Sequence, residues 1–152
     1  MPNELREAVI HFELYRSLMN GISFRKQFDT IRYIAVEPEV RVDGGSADLV
    51  VKAELNGSPT HFLVVEVKKR TELGLPIFDD DARDQAKKYA TALSALYYAI
   101  TDGQCLRLFR VPSEYIGDYA LPQDEGTGKQ LLKGLSDLHA GIISKLPFNA
   151  VK

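Results

Sequence analysis

The sequence predicts an α/β fold with a mixed central sheet flanked by helices, on three observations. Two short runs rich in β-branched residues, Leu49-Val50-Val51 and Phe62-Leu63-Val64-Val65, flank turn chemistry at Asn56-Gly57-Ser58-Pro59, which reads as a β-hairpin. Helical periodicity precedes that hairpin at Asn3–Asn20 and follows it at Ala82–Leu96. A second strand–turn–strand signal then spans Tyr97–Thr101, Asp102-Gly103 and Cys105–Val111. The predicted order, α-β-β-β-α-β-β-α, packs helices on a sheet as an α/β sandwich.

The first helix carries Leu5, Val9, Phe12 and Met19 at helical spacing, with Ile10, Leu14 and Leu18 on an adjoining face. Only a narrow sector with Arg6, Glu13 and Ser17 is polar, so the helix is expected to be largely buried, with Gly21 ending it. Ile31–Val36 and Glu39–Asp43 read as short strands, Gly44-Gly45 as a turn and Arg70–Asp81 as a loop. Asp79, Asp80 and Asp81 suit the N-terminus of the second helix. Pro112–Gly126 reads as loop, and Thr127–Ser144 as a last helix with a Thr127/Gln130 capping box, weakened by Gly134 and Gly141.

At 152 residues the chain is expected to form a single domain, 1–152, with a sizeable core. Its 45% apolar and 26% charged residues are ordinary for a globular protein. No apolar run is long enough to span a bilayer, and the opening MPNELREAV lacks a signal-peptide core, so a cytoplasmic protein is expected, with no membrane partner. The single cysteine, Cys105, excludes an internal disulfide and a cysteine-based zinc site, and its apolar neighbours suggest a packed thiol. A net charge of -2 argues against coating nucleic acid by bulk charge but leaves room for a local basic cleft.

The polar residues of the hairpin carry the chemistry. Asp48 opens the first run and Glu66-Val67-Lys68 closes the second. Alternate strand residues share a face, so Glu66 and Lys68 lie together and an antiparallel partner brings Asp48 beside them. Two carboxylates at the end of a buried hairpin are costly unless paired. Such oxygens suit Mg²⁺, a hard cation that keeps several waters and binds through one or two carboxylates plus phosphate. Lys68 beside it could orient a water or stabilise charge on phosphate. By itself E-x-K is common and more often describes a salt-bridged strand end at a solvated sheet edge. Gln85 and Tyr89, at i and i+4 on the following helix, share a face and can hold a phosphate or a metal ligand.

Together, Asp48, Glu66-x-Lys68 and Gln85-xxx-Tyr89 resemble the PD-(D/E)xK nucleases of the restriction-endonuclease-like superfamily. The nearer match is the Q-xxx-Y subgroup, which includes the N-terminal nuclease domain of type I restriction enzyme R subunits. The segments Ser46–Val51, Val64–Lys69, Asp84–Ala90 and Ile100–Gly103 follow that family's order and spacing, and the resemblance covers roughly Asn3 to Arg110. It implies a restriction-endonuclease-like core and a Mg²⁺-dependent DNA endonuclease, with Mn²⁺ able to substitute. Asp48 and Glu66 match the metal-binding acids, the Val67 carbonyl completes the metal shell, and Lys68 matches the catalytic lysine. Gln85 and Tyr89 match the pair that supports the site and contacts DNA. Ala47 stands where the motif name has Pro, at a position that varies in the superfamily. No Walker sequence follows, so the resemblance implies a chain acting alone, as a homodimer, or with a separate DNA-targeting or motor subunit.

Relatives add a carboxylate from the first helix. Glu4 borders the main apolar face and is preferred here, then Glu7, with Glu13 on the polar side. His11 is read as a hydrogen-bonded core residue rather than a general base. Lys69, with Lys68, Arg70, Arg83, Lys87 and Lys88, is a candidate phosphate-binding rim. His61 and His139 have no visible partner, and Tyr33, Tyr115 and Tyr119 stand as exposed aromatics without a role. The competing expectation is a non-cleaving DNA- or protein-binding module on the same fold within a larger complex.

Overall fold

The computed structural model describes residues 3–24, 27–28, 31–68, 80–122, 124 and 126–149, with backbone alone at 3–6, 23–24 and 27–28. Among these residues three helices flank a mixed sheet: α1 (Asn3–Phe24), α2 (Asp80–Ala92) and α3 (Thr127–His139). The strands are β1 (Gln27–Phe28), β2 (Ile31–Val42), β3 (Gly45–Leu55), β4 (Ser58–Val67), β5 (Tyr97–Thr101), β6 (Cys105–Arg110) and β7 (Glu114–Ala120). They lie in one seven-stranded sheet in sequence order. Every neighbouring pair is antiparallel except β4 and β5, which run parallel. A parallel step needs a crossover, and α2 lies within it. The fold is α/β, as the sequence predicts.

The predicted hairpin forms. Asn56 and Gly57 both take positive φ, 51° and 85°, as a primed two-residue turn requires. β3 and β4 register Leu49 against Val65 and Leu55 against Ser58. Two cores result, one on each sheet face. Leu14, Leu18 and Ile22 of α1 meet Leu131, Leu132 and Leu135 of α3 over Val51, Leu63 and Val65. On the other face Ala82, Ala86, Tyr89 and Ala90 of α2 cover Val50, Val64 and Ile100. Alternation along β4 therefore sends Glu66, two residues past Val64, to the α2 face.

Several expectations need correction. α1 does not end at Gly21 but runs to Phe24. The glycine is there for close approach: a Cβ on it would lie 2.8 Å from the backbone nitrogen of Lys129. Nor is α1 buried around most of its girth, since Val9 and Phe12 are 43% and 60% exposed. β2 is one strand of 12 residues where two pieces were expected. It passes through Pro38, which lies between the two expected pieces, and through Glu39, the expected start of the second, at φ 53°. α2 begins at Asp80 and stops at Ala92, short of Leu96, with Ser94 in a left-handed turn at φ 55°.

The expected loop Pro112–Gly126 holds strand β7, paired with β6 from Arg110↔Glu114 to Cys105↔Ala120. It is an edge strand with only Tyr119 buried, so it shows no apolar alternation. The capping box does not form. Gly126 is the N-cap without a side-chain bond, and Thr127 Oγ1 donates to the carbonyls of Pro122 (2.5 Å) and Asp124 (3.1 Å). α3 ends at His139 rather than Ser144, because Gly141 at φ 79° closes it. The Ile142 N–H bonds the Asp137 carbonyl, and the Gly141 N–H bonds that of Leu138. Tyr33 and Tyr119 are buried, not exposed; Tyr115 alone of the three is exposed, at 54%. Tyr33 donates to the Leu132 carbonyl at 2.6 Å. His61 and His139 have partners: the Leu93 carbonyl at 3.0 Å and the Tyr97 hydroxyl at 2.9 Å.

Candidate active site

The site gathers where β3 begins and β4 ends. Antiparallel pairing sets Leu49 against Val65, so Asp48 falls opposite Glu66 one step further along. The Val67 N–H donates to Asp48 Oδ2 at 2.7 Å, which fixes the aspartate across the strand gap. On its other side β4 is held by parallel pairing with β5, Glu66 against Ile100. The Lys68 N–H extends that ladder to the Thr101 carbonyl at 2.8 Å. The strand end is thus braced on both edges, and its side chains start from fixed Cα positions.

Glu66 is 2% exposed, and its Oε1 has no hydrogen-bond partner. Burial, then the adjacent Asp48 carboxylate, pushes its pKa up to about 9, with Lys68 pulling the other way. A buried carboxyl with an orphaned oxygen beside a second carboxylate is the arrangement a divalent cation relieves. The donor set, Asp48 and Glu66 with the Val67 carbonyl adjoining, fits a hard cation such as Mg²⁺. Among the described residues no group of three His, Cys, Asp or Glu gathers for a metal.

The raised pKa has a thermodynamic consequence. The folded chain keeps on Glu66 a proton that the unfolded chain releases above 4.5, the ordinary value. The stability from this group is complete below 4.5 and is lost as pH rises through about 9. In metal-free protein, Tm is expected to fall across that window, and Glu66→Gln to flatten the fall. An equally steep decline in Glu66→Gln would mean that another group drives it. Because the cation takes the ionised form, its affinity should rise over the same window.

Lys68 and the Gln85–Tyr89 pair form a hydrogen-bonded chain. Lys68 Nζ donates to Gln85 Oε1 at 2.7 Å, and Gln85 Nε2 donates to the Tyr89 hydroxyl at 3.1 Å. The lysine fixes the orientation of the amide, and the amide leaves the tyrosine proton free to be given elsewhere. Gly45 makes room: a Cβ there would overlap the Tyr89 hydroxyl. Two clefts open beside the end of β4, one lined by Val67 and the other by Lys68. One, of about 300 Å³, is lined by Glu7, Ala8, His11, Glu39, Asp48 and Val67. The other, of about 520 Å³, includes Gly44, Lys68, Gln85, Lys88 and Tyr89.

Asp48, Glu66, Val67, Lys68, Gln85 and Tyr89 are therefore brought together. Glu4 and Lys69 lie outside the residues whose side chains are described. Of the helix α1 candidates, Glu7 lines the Asp48 cleft and Glu13 does not. His11 is not a core residue but half-buried at this cleft. Its Nε2–H donates to the Asp48 backbone carbonyl at 2.8 Å, with Glu39 Oε1 3.7 Å away. Glu39 was not foreseen as a site residue. Its backbone is left-handed, at φ 53°, a state that a glutamate does not signal in sequence.

No family model and no curated protein matches the chain. In three dimensions it is similar to the type IIG restriction endonuclease BpuSI, with a TM-score of 0.59 and 15% identity over 93% of the chain. The chain spans 17% of the length of that protein. Among the described residues no helix is long and apolar enough to cross a membrane. The fold is restriction-endonuclease-like, with Asp48, Glu66 and Lys68 at one end of its central hairpin.

Proposed function

We propose that the chain is a metal-dependent nuclease that hydrolyses phosphodiester bonds in DNA. The observation that carries this reading is Glu66, nearly inaccessible, with an orphaned Oε1, facing Asp48 and flanked by Lys68. Asp48 and Glu66 would hold Mg²⁺, or Mn²⁺ in its place, with the Val67 carbonyl and, from α1, Glu7 or Glu4. When bound, the cation supplies positive charge to the phosphate and acidifies water. Lys68 contributes an ammonium with three donors, one engaged by Gln85, leaving two for a water or a phosphate oxygen. A water oxygen bonds to phosphorus, the bond from phosphorus to the 3′ oxygen breaks, and the products are a 5′-phosphate and a 3′-hydroxyl. The type I R-subunit relationship rests on the Gln85-xxx-Tyr89 pair and its contact with Lys68. DNA targeting would come from a second copy of the chain or from a separate targeting or motor subunit.

The test is cleavage of linear, supercoiled and branched DNA with Mg²⁺ or Mn²⁺, together with melting in the same ions. The parent protein should cut and should melt at higher temperature with the cation, and Asp48→Ala should lose both effects. A melting shift without cutting would indicate a nuclease that needs its targeting partner. Neither effect in the parent would move the chain to the non-cleaving binding module.

A further inference from the structure

The larger of the two clefts holds positive charge that the carboxylate chemistry does not use. It lies between the β2–β3 turn and α2. Lys88, exposed on α2, reaches across to that turn, where Gly44 stands at φ 84° and a Cβ would lie 2.7 Å from Lys88 Nζ. The ammonium also sits 6.0 Å from the centre of the Tyr89 ring. Among the described residues Lys88 makes no ion pair. Of the aspartates on the rim, Asp84 is paired with Arg83 at 3.3 Å, and neither Asp84 nor Asp81 forms an ion pair with Lys88. Tyr89 accepts from Gln85, which leaves its own proton to give. The cleft therefore offers the ammoniums of Lys68, from the end of β4, and Lys88, from α2, together with the Tyr89 hydroxyl.

We propose that this cleft seats a second backbone phosphate, adjacent to the one at the carboxylates, with Lys88 as its principal cation. This rests on the nuclease reading, because Lys68 is the residue shared between the cleft and the carboxylate site. Phosphates repeat along a strand, so a chain lying across the Val67–Lys68 strand end presents its next phosphate to the neighbouring cleft. The groups there read charge and shape rather than base identity. Lys88 then contributes affinity without sequence preference.

The experiment is binding of short fluorescent DNA duplexes of unrelated sequence to the full chain, across a salt series, with Ca²⁺ replacing Mg²⁺. Removing one phosphate contact lowers the slope of log K against log salt by about 1. Lys88→Ala should do this and weaken binding several-fold on every sequence, and Lys88→Arg should restore the slope. Lys133→Ala, which removes a cation paired with Asp137 on α3, should keep the parent slope. A parent slope in Lys88→Ala, a loss confined to one sequence, or no duplex binding by the parent at low salt would overturn the proposal. The two readings separate cleanly. A parent that binds with Lys88-dependent slope yet never cuts keeps the phosphate seat and loses the nuclease. A parent that cuts while Lys88→Ala binds normally keeps the nuclease and loses the seat.

Discussion

Lys68→Ala is expected to lower metal-dependent DNA cleavage by about 10²-fold or more, with the chain still folded. The Lys68 backbone is tied to Thr101, and Nζ is aimed by Gln85, so the ammonium is positioned before substrate arrives. Such a group costs no reorganisation at the moment charge develops on the phosphate. The substitution has a second effect. Lys68 is the neighbour that holds the Glu66 pKa down against burial and Asp48, so its loss lets that pKa climb further. Metal affinity should therefore weaken at neutral pH and recover only at higher pH. Lys68→Arg keeps the charge and should recover much of the metal affinity. Its planar fork does not reproduce the single compact donor that meets Gln85, so the rate should stay low. Single-turnover cleavage against metal concentration separates the two effects. Cutting at the parent rate in Lys68→Ala would place the chemistry elsewhere.

The parts of the site legible in the sequence were those fixed by local rules. Asn56-Gly57 dictates a primed turn and so pairs the two runs, but the turn register alone would set Asp48 opposite Val65; a bulge between Val51 and Lys52, which the sequence does not announce, shifts the pairing by one and brings Asp48 opposite Glu66. The helical repeat alone sets Gln85 and Tyr89 on one side of α2. What could not be read depends on contacts distant in sequence or on backbone states open to any residue. The His11 bond to the Asp48 carbonyl joins residues 37 positions apart. Glu39 lines the cleft and has a left-handed backbone in mid-strand. β7 was hidden because an edge strand need bury little, and Gly117, with its missing side chain, lies beneath the Tyr119 ring. Phe12 shows the opposite failure: its periodicity promised burial, and no element covers that side of α1 among the described residues.

Gly128→Ala is expected to cost about 3 kcal/mol of folding stability or more, a large share of what a domain of this size has. A Cβ on Gly128 would overlap the Ser17 carbonyl and lie 2.6 Å from the Leu18 nitrogen, and these are backbone atoms that cannot swing aside. Gly21 faces the same crossing from α1, so the two helices touch through two missing side chains. The contact also satisfies a helix end. Gly128 lies in the first turn of α3, where N–H groups lack partners within the helix, and its N–H donates to Ser17 Oγ at 2.8 Å. Ser17→Ala should accordingly cost about 1 kcal/mol. Gly126→Ala, at φ -83° with its nearest neighbour the Asp124 side chain, should be close to neutral. Urea unfolding of the three variants measures the differences, and a Gly128→Ala cost under about 1 kcal/mol would mean the crossing is not backbone-tight. The crossing matters beyond stability, because α1 beyond it carries His11 and Glu7 to the Asp48 cleft. Pushing α1 away from α3 moves the end of a lever whose tip is at the Asp48 cleft. Gly128→Ala should therefore lower metal affinity even at temperatures where the protein is folded, while Ser17→Ala, which leaves the backbone contact closed, should not.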